Sequence, residues 1–281
     1  MLFLKAVGLS LLATASAHVI RASSDKPIST SSSNWCGSSS HSTHHLRRSF
    51  DPTHILPRHA NVSSHLVVDT YFHIVANSTK PQDGYLTNKT ITEQFHVLNS
   101  TFSSTSVSFR LRGITRTIDP VWATSIDPED HYAMKRALRK GSYKTLNIYF
   151  RTFVGVSEDG GDLLGQCTFP DAVGNKTREF YEDGCMVLHS TVPGGTTVDA
   201  ELGITTTHEV GHWFGLYHTF EGEGCDSAGD EVADTPAELE PGRGCMVGRD
   251  TCPGQEGLDP VRNYMDYSAD YCLSEFTPGR R

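Results

Sequence analysis

The segment HEVGHWFGLYH, residues 208 to 218, constrains the fold of this chain more than any other feature. His208 and His212 are four residues apart, so on a helix their imidazoles project from one face about one turn apart. His218 lies too far along the chain to share that face of a continuous helix. Gly215 can adopt the left-handed conformation that ends a helix, which would let the chain turn and bring His218 back. The segment therefore predicts three converging imidazoles.

Three imidazoles in this arrangement are typical of a catalytic zinc site, which keeps a fourth position open for water. Glu209 follows His208 directly, so its carboxylate would point beside the metal, where it can hold a water and take its proton. We therefore expect His208, His212 and His218 to bind one Zn²⁺, and Glu209 to activate the zinc-bound water. The alternative, a helix with incidental surface histidines, leaves Gly215 unexplained.

The first seventeen residues, MLFLKAVGLSLLATASA, predict a secretory signal peptide. Lys5 precedes an apolar run, and Ala15, Ser16 and Ala17 supply the small-x-small pattern of a cleavage site. A membrane anchor is the alternative, but the apolar run is too short to cross a hydrocarbon core of about 30 Å. We expect a secreted, extracellular protein without a membrane anchor.

The acidic composition argues against a nucleic-acid partner. The 281 residues carry a formal net charge of −9, whereas a protein that binds phosphate backbones electrostatically needs a basic surface. The hydrophobic content of 37% is sufficient for a sizeable core. The composition therefore favours a globular protein that does not bind nucleic acid.

Sequence patterning divides the rest of the chain into an arm and a domain. Residues 18 to 60 are rich in Ser and His and lack apolar periodicity, which is typical of a pro-segment or a flexible arm. Residues 61 to 281 are expected to form the catalytic domain, with an upper subdomain at 61–218 and a lower subdomain at 219–281.

Apolar periodicity predicts the elements of that domain. The expected strands lie at 65–75, 107–111, 145–150 and 186–189, and the expected helices at 92–102, 130–140 and 197–216. After the third histidine, Gly, Pro and Cys dominate the sequence. This order indicates an α/β-type N-terminal portion and a loop-rich C-terminal portion.

The histidine segment matches the extended zinc signature H-E-x-x-H-x-x-G-x-x-H of the metzincin metallopeptidases. Metzincins also carry a methionine turn beneath the metal, and NYMDY at residues 263 to 267 matches it with Met265. The strings GDEVADTPAE and CPGQEGLDPVRNYMDYSADYC resemble the pappalysin branch, especially its secreted fungal members. The strong match extends from about residue 200 to 278, and a weaker similarity reaches back to about residue 65.

This resemblance implies a metzincin-like α/β (α+β) fold, with a twisted mixed sheet and the active-site helix in an N-terminal subdomain and an irregular, disulfide-stapled C-terminal subdomain. It also implies a secreted zinc metalloendopeptidase that hydrolyses peptide bonds in extracellular proteins. Its partners would be protein or peptide substrates, and we expect a monomer. Met265 would form a hydrophobic base under the histidines, which is also what ordinary core packing would give. Tyr267 would hydrogen-bond negative charge that develops on the substrate, although a core tyrosine with a satisfied hydroxyl is the alternative. An edge strand at 163–169 would align an extended substrate.

Seven cysteines follow the expected signal peptide, in a compartment where disulfides form. The pappalysin resemblance implies the pairs Cys225–Cys252 and Cys245–Cys272, and with them a third pair, Cys167–Cys185. Cys36 is then the odd thiol, in the expected pro-segment. Because thiolate is a strong zinc ligand, Cys36 is a candidate latency thiol, comparable to the cysteine switch of some metzincins. A free thiol in a discarded leader is the alternative.

Two further kinds of site remain candidates. Some pappalysins bind Ca²⁺ just after the zinc helix, where this chain has an oxygen-rich loop with Asp226, Asp230, Asp234 and Thr235. A solvated acidic loop is the alternative there. The N-glycosylation sequons lie at Asn61, Asn77, Asn88, Asn99 and Asn175.

Two other functions compete with the peptidase. A secreted glycoprotein with a structural zinc would close the site with four ligands and would not need Glu209. A metal-dependent hydrolase that acts on non-peptide amides would use the same ligands, so only the pappalysin resemblance argues against it.

Overall fold

The structure, a computed structural model, describes residues 36–38, 65–157, 160–171 and 173–280. These residues belong to one compact unit, Ser33–Arg281. The expected signal peptide, most of the expected pro-segment and Asn61 lie outside the described residues.

A five-stranded sheet forms the framework. Its strands are β1 (Leu66–Ala76), β2 (Val107–Ile118), β3 (Leu146–Arg151), β4 (Gly165–Cys167) and β5 (Cys185–Leu188). They lie in the order β2-β1-β3-β5-β4. Strand β4 runs antiparallel to β5, and the other neighbours are parallel. The predicted mixed sheet is therefore confirmed, with the short strand β4 at one edge.

Within the described ranges, five α-helices accompany the sheet: α1 (Asn88–Thr101), α2 (Pro120–Thr124), α3 (Pro128–Leu138), α4 (Arg178–Glu182) and α5 (Ile204–Trp213). The first four helices are capped at their N-termini by side-chain oxygens, which belong to Thr87, Asp119, Asp127 and Thr177. Short 3₁₀ turns lie at Pro81–Asp83, His189–Thr191 and Pro278–Arg280.

Apolar side chains cover both faces of the sheet. On one face, Phe72 and Phe150 pack in a cluster that includes Val210 of α5 and Met265. On the other face, Tyr149 packs in a cluster with residues of α2 and α3. Helix α5 therefore lies directly on the sheet core, which holds its histidines in a fixed position.

The active-site helix and strand β2 differ most in length from the sequence expectation. The active-site helix begins at Ile204 rather than near residue 197, because Gly203 takes a positive φ of 89° immediately before it. It also ends at Trp213 rather than at residue 216, shortly before Gly215, which has a positive φ of 94°. Strand β2 extends to Ile118 because it pairs with β1 along its whole length, with one register shift. The Arg residues and Gly113 obscure this strand in the sequence.

The chain after α5 contains neither an α-helix nor a named strand up to residue 280. Three disulfides join Cys167–Cys185, Cys225–Cys252 and Cys245–Cys272, which are the pairs implied by the resemblance. The last two each span 27 positions of the irregular tail, and loops of this size are stabilised by about 3–4 kcal/mol on the chain-entropy model. No helix in the described part of the chain is long and apolar enough to cross a membrane.

Candidate metal centre

The side chains of His208, His212 and His218 converge on one point. Helix α5 presents the first two, and Gly215, with φ of 94°, reverses the chain so that the third returns. The Nε2 atom of His212 lies 3.1 Å from the Nε2 atoms of both other histidines. All three residues are buried. The structure thus brings together the three imidazoles that the motif predicts.

Backbone carbonyls orient the two helical imidazoles. Nδ1 of His208 lies 2.8 Å from the carbonyl oxygen of Tyr264, and Nδ1 of His212 lies 2.7 Å from that of Leu216. Because a carbonyl oxygen only accepts, each Nδ1 carries the proton and each Nε2 presents its lone pair. The Leu216 contact also ties the turn after Gly215 to the helix.

The electrostatics of His208 and His212 favour a bound cation. Burial is the main cause that lowers the pKa of His208 to about 3 and that of His212 well below its usual value, and the neighbouring imidazoles add to it. The rings of His208 and His212 therefore stay neutral, and their Nε2 lone pairs face the same buried space. On the third ring, Nδ1 of His218 lies 3.5 Å from Oε2 of Glu221. Neutral imidazole nitrogens aimed at one point are the donor set that zinc takes, so these residues fit the ion.

Cys36 supplies a fourth donor atom. Its Sγ and the ligand nitrogens of His208, His212 and His218 all lie within 4.8 Å of one another. In the described ranges, these four residues form the one group of His, Cys, Asp or Glu side chains with such spacing. Cys36 is buried and unpaired, and burial together with the nearby Glu209 raises the pKa of its thiol.

The short segment that carries Cys36 lies along the sheet edge. Cys36 forms a parallel bridge with Gly165 of β4, and the Gly37 N–H donates to the carbonyl of Gly165 at 2.9 Å. Nε2 of Gln166 donates to the Gly37 carbonyl at 3.2 Å. On the opposite side, the Tyr267 hydroxyl donates to the Cys36 carbonyl at 3.4 Å. The segment therefore fills the edge position at which an extended substrate was expected to align.

Ser38 links this segment to Glu209. Its Oγ accepts a hydrogen bond from the Cys167 N–H at 2.7 Å. The Ser38 hydroxyl in turn donates a hydrogen bond to Oε2 of Glu209 at 3.1 Å. No sequence pattern distinguishes Ser38, because serine is abundant throughout that region. Its position two residues after Cys36 is the only signal that could have identified it.

The Glu209 carboxyl group lies beside the histidines in a fully buried position. Burial is the main cause that raises its pKa to about 8. Within the part of the chain that the structure describes, Oε1 has no hydrogen-bond partner. A carboxyl group whose proton affinity is raised in this way is suited to accept and return a proton near neutral pH.

Tyr267 and Met265 border the same site. The Tyr267 hydroxyl lies 3.2 Å from Nε2 of His218, and burial raises its pKa well above the usual value, so it remains a donor. Met265 is fully buried beneath α5, and its carbonyl accepts from the Thr219 N–H at 3.2 Å. The structure therefore places Met265 in a packing position and Tyr267 next to the third histidine.

Two glycines permit this packing, and the sequence did not single them out. A Cβ at Gly165 would lie 2.6 Å from Cδ of Glu209, and a Cβ at Gly211 would lie 3.2 Å from Cε of Met265 and closer still to its Sδ. Real Cβ atoms essentially never approach within 3.0 Å of another heavy atom. These positions therefore need glycine for close approach, a requirement that appears only once the elements are packed together.

The residues expected to bind calcium do not share one ligand centre. They are Asp226, Asp230, Asp234 and Thr235, and the three aspartates form no joint group of donor atoms. Instead, Asp230 forms a buried ion pair with Arg280. The same guanidinium donates to the Tyr217 carbonyl at 2.9 Å. Arg280 thus supplies positive charge to this loop and ties it to the residue before His218.

The described sequons differ in exposure. Asn88 and Asn175 are exposed, whereas Asn77 and Asn99 are half-buried. The Asn77 amide donates to Thr152 Oγ1, and Oδ1 of Asn99 accepts from the Phe109 N–H at 2.9 Å. A glycan is therefore better accommodated at the two exposed asparagines.

Comparisons with known proteins agree with this geometry. Residues 177–280 match a family model of the M43 peptidases, described as pregnancy-associated plasma protein-A. A protein of Colletotrichum graminicola named extracellular metalloprotease is 50% identical over 216 residues, which cover 77% of this chain and 74% of that protein. Extracellular metalloprotease 1 of Coccidioides posadasii is 48% identical over 221 residues, with 79% and 76% covered.

A solved structure is also similar. Mature mirolysin of Tannerella forsythia, in complex with a cleaved peptide, aligns with a TM-score of 0.61 at 26% sequence identity. The alignment covers 78% of this chain and 89% of that one. The similarity therefore extends beyond the zinc motif to most of the fold.

Proposed function

The chain belongs to the M43, or pappalysin, family of zinc metallopeptidases, and from this premise we propose that it is a secreted endopeptidase in which Glu209 activates the attacking water. The convergence of the three histidine Nε2 atoms beside a buried Glu209 carboxyl group is the observation that carries the proposal. The extracellular names of the relatives support secretion, and their protease names support protein or peptide substrates.

Each residue of the site then has a chemical role. His208, His212 and His218 would hold a zinc ion, which when bound polarises a carbonyl and acidifies water as a Lewis acid. Glu209 takes a proton from the attacking water and returns it to the leaving amine. Tyr267 donates a hydrogen bond to the carbonyl oxygen as negative charge grows there.

The edge strand β4 would align the substrate. At its outer edge, the Gly165 carbonyl accepts a hydrogen bond from the Gly37 N–H. The Gln166 side chain donates a hydrogen bond to the Gly37 carbonyl. A peptide in the same place would make similar bonds, which is recognition by strand addition. Side chains on either side of the scissile bond would then face the metal centre.

The segment 36–38 makes the full chain latent. Cys36 offers its sulfur as the fourth ligand, and Ser38 occupies an oxygen of Glu209. Both positions are needed for water, so substrate and segment exclude each other. We therefore infer that residues 18–60 act as an inhibitory pro-segment and that residues 61–281, with subdomains at 61–218 and 219–281, form the catalytic domain.

Latency also separates the peptidase from a structural-zinc protein. Four donors would close the site permanently if all came from the folded domain. Here the fourth lies on a short strand-like segment held mainly by hydrogen bonds at an open sheet edge. Cys36→Ala is expected to turn on casein cleavage without releasing zinc, and loss of zinc without cleavage would support the structural role instead. Ser38→Ala, which keeps the thiol, should remain largely latent.

Glu209→Gln tests the catalytic proposal in the same Cys36→Ala background. Glutamine keeps the shape of the side chain but cannot accept the proton, so cleavage should fall by several orders of magnitude while one zinc per chain is retained. Cleavage of an ester or small amide by the Cys36→Ala protein, with no cleavage of casein or denatured proteins, would favour the hydrolase of non-peptide amides.

Other expectations stay predictions. One zinc ion is the proposed metal, and a calcium ion near Asp230 is disfavoured because Arg280 already neutralises that carboxylate. The monomeric state remains an expectation from the sequence, and sedimentation of the purified protein would test it.

A further inference from the structure

The third imidazole is held differently from the first two. His208 and His212 lie on helix α5, whereas His218 lies in the irregular segment that follows the helix. Nδ1 of His218 is 3.5 Å from Oε2 of Glu221, which is longer than a well-formed hydrogen bond. The position of this imidazole therefore depends chiefly on how the backbone at residue 218 is fixed.

Thr219, the next residue, fixes that backbone from two sides. Its N–H donates a hydrogen bond to the carbonyl of Met265 at 3.2 Å. Its hydroxyl donates a second hydrogen bond to Oε2 of Glu238 at 2.7 Å. Thr219 is buried, so bulk water does not compete for either bond. Thr219 therefore connects the third histidine both to the methionine turn and to the loop that carries Glu238.

A buried polar network holds Glu238 in turn. The Glu238 side chain is fully buried, and its Oε1 lies 3.3 Å from Nη1 of Arg249. Nε of the same guanidinium lies 3.2 Å from Oδ2 of Asp259. Oδ1 of Asp259 accepts from both the N–H and the hydroxyl of Thr251, at 2.9 Å each. The carboxyl group that receives the Thr219 hydroxyl is therefore itself fixed in place.

The Glu238 contact depends on an oxygen acceptor rather than on a negative charge. Burial, and after it the nearby Asp266 carboxyl group, raise the pKa of Glu238 above its usual range, which favours the un-ionised form. An un-ionised carboxyl group still accepts a hydrogen bond from a hydroxyl. Because a buried ion-pair network is weak evidence for added stability, the role of this network is better sought in the position that it gives Thr219.

We propose that Glu238 and Thr219 are positioning residues that hold His218 in its ligand position, with Glu238 acting through the Thr219 hydroxyl. The proposal rests on the zinc metallopeptidase function proposed above and concerns how the chain prepares the site for the ion. Without the hydroxyl bond, only the N–H bond to Met265 would remain of the two that hold Thr219. Loss of a group that orients a metal ligand lowers metal affinity by about 10- to 100-fold.

Paired substitutions at Thr219 test the role of the hydroxyl. In the full chain with Cys36→Ala, Thr219→Val removes the hydroxyl and keeps the shape, whereas Thr219→Ser keeps the hydroxyl. The zinc dissociation constant, measured by chelator competition, should rise by about 10-fold or more in Thr219→Val and by less than about 3-fold in Thr219→Ser. The visible absorption spectrum of the Co²⁺-loaded protein should change in Thr219→Val and not in Thr219→Ser. Thr191→Val is the matched control, because it removes a similarly buried hydroxyl that bonds to the Leu188 carbonyl at 2.9 Å.

Substitutions at Glu238 test whether the hydroxyl acts through that carboxyl group. Glu238→Gln keeps an oxygen acceptor and should keep zinc affinity, whereas Glu238→Leu should lose about as much affinity as Thr219→Val. The double variant Thr219→Val/Glu238→Leu should bind zinc about as well as either single variant, because both changes remove the same bond. Additive losses in the double variant would separate Glu238 from Thr219 and overturn its assigned role.

Unchanged zinc affinity and an unchanged Co²⁺ spectrum in Thr219→Val would overturn the proposal. A loss that Thr191→Val reproduces, or that Thr219→Ser shares, would overturn it equally, because the effect would then be one of general stability. If Glu238→Leu fails to fold, Glu238→Gln and the Thr219 variants decide the matter. A parent Cys36→Ala protein that binds no zinc would instead overturn the metallopeptidase function. A parent that binds zinc and cleaves peptide leaves that function intact, whatever the Thr219 variants show.

Discussion

Gly165→Ala should impair catalysis while sparing the fold and the metal. The added Cβ would lie 2.5 Å from Cγ and 2.6 Å from Cδ of Glu209 and closer still to Oε1, so the side chain must retreat by about 0.9 Å to reach an ordinary contact of 3.4 Å. All three of these close contacts are with the Glu209 side chain rather than with backbone or a histidine, so we expect the fold and the metal ligands to be retained. A displacement of about 1 Å from the reacting atoms, however, reduces rates by about 100-fold. We therefore expect kcat/KM to fall by about 10- to 100-fold.

The assay is cleavage of a peptide in the Cys36→Ala background, with bound zinc and the unfolding midpoint measured on the same samples. Gly254→Ala is the matched control, because a Cβ there has no heavy atom within 4 Å. The reasoning is wrong if Gly165→Ala keeps kcat/KM within about 3-fold of its parent. It is also wrong if the loss of activity is accompanied by an equal loss of zinc.

Three further predictions concern stability and the metal. Arg280→Met leaves the carboxylate of Asp230 buried without its partner, so the free energy of unfolding in urea should fall by about 3–5 kcal/mol. Gly211→Ala displaces Met265 from beneath the helix, so zinc affinity in a chelator competition should fall by about 10-fold or more. Burial lowers the pKa of His73 to about 4 from 6.5. The imidazole of His73 binds a proton at higher pH in the unfolded chain than in the folded one. The free energy of unfolding should therefore fall by about 3 kcal/mol as pH falls from 6.5 to 4, and His73→Gln should abolish that pH dependence.

Each of these has a result that would contradict it. An Arg280→Met protein as stable as its parent would mean that the Asp230 carboxylate is solvated or neutral. Unchanged zinc affinity in Gly211→Ala would mean that the Met265 turn can shift without moving the ligands. A pH profile of unfolding that His73→Gln leaves unaltered would assign the acid sensitivity to other groups.

The convergence of the three histidines could be predicted because its geometry is encoded locally. The i, i+4 spacing of His208 and His212 and the helix-ending conformation of Gly215 depend on a few neighbouring residues. The structure adds that Gly203 ends the preceding turn with positive φ, which shortens the helix at its start. The type and position of that element therefore followed from the sequence, and its first residue did not.

Contacts between distant segments could not be predicted in the same way. Ser38 and Glu209 are 171 residues apart, and no pattern in either segment specifies their hydrogen bond. The requirement for glycine at Gly165 likewise arises only when β4 packs against α5. The acidic loop likewise suggests a bound cation, but no sequence pattern specifies that the guanidinium of Arg280 pairs with Asp230 there.

The most direct test of the central claim is a zinc titration of metal-free Cys36→Ala protein, with peptide cleavage measured at each step. Activity should rise linearly and reach a plateau at one zinc per chain, while Glu209→Gln should bind the same single equivalent and stay inactive. Cleavage by the metal-free protein, or an active Glu209→Gln protein, would contradict a mechanism in which three histidines hold zinc and Glu209 moves the proton.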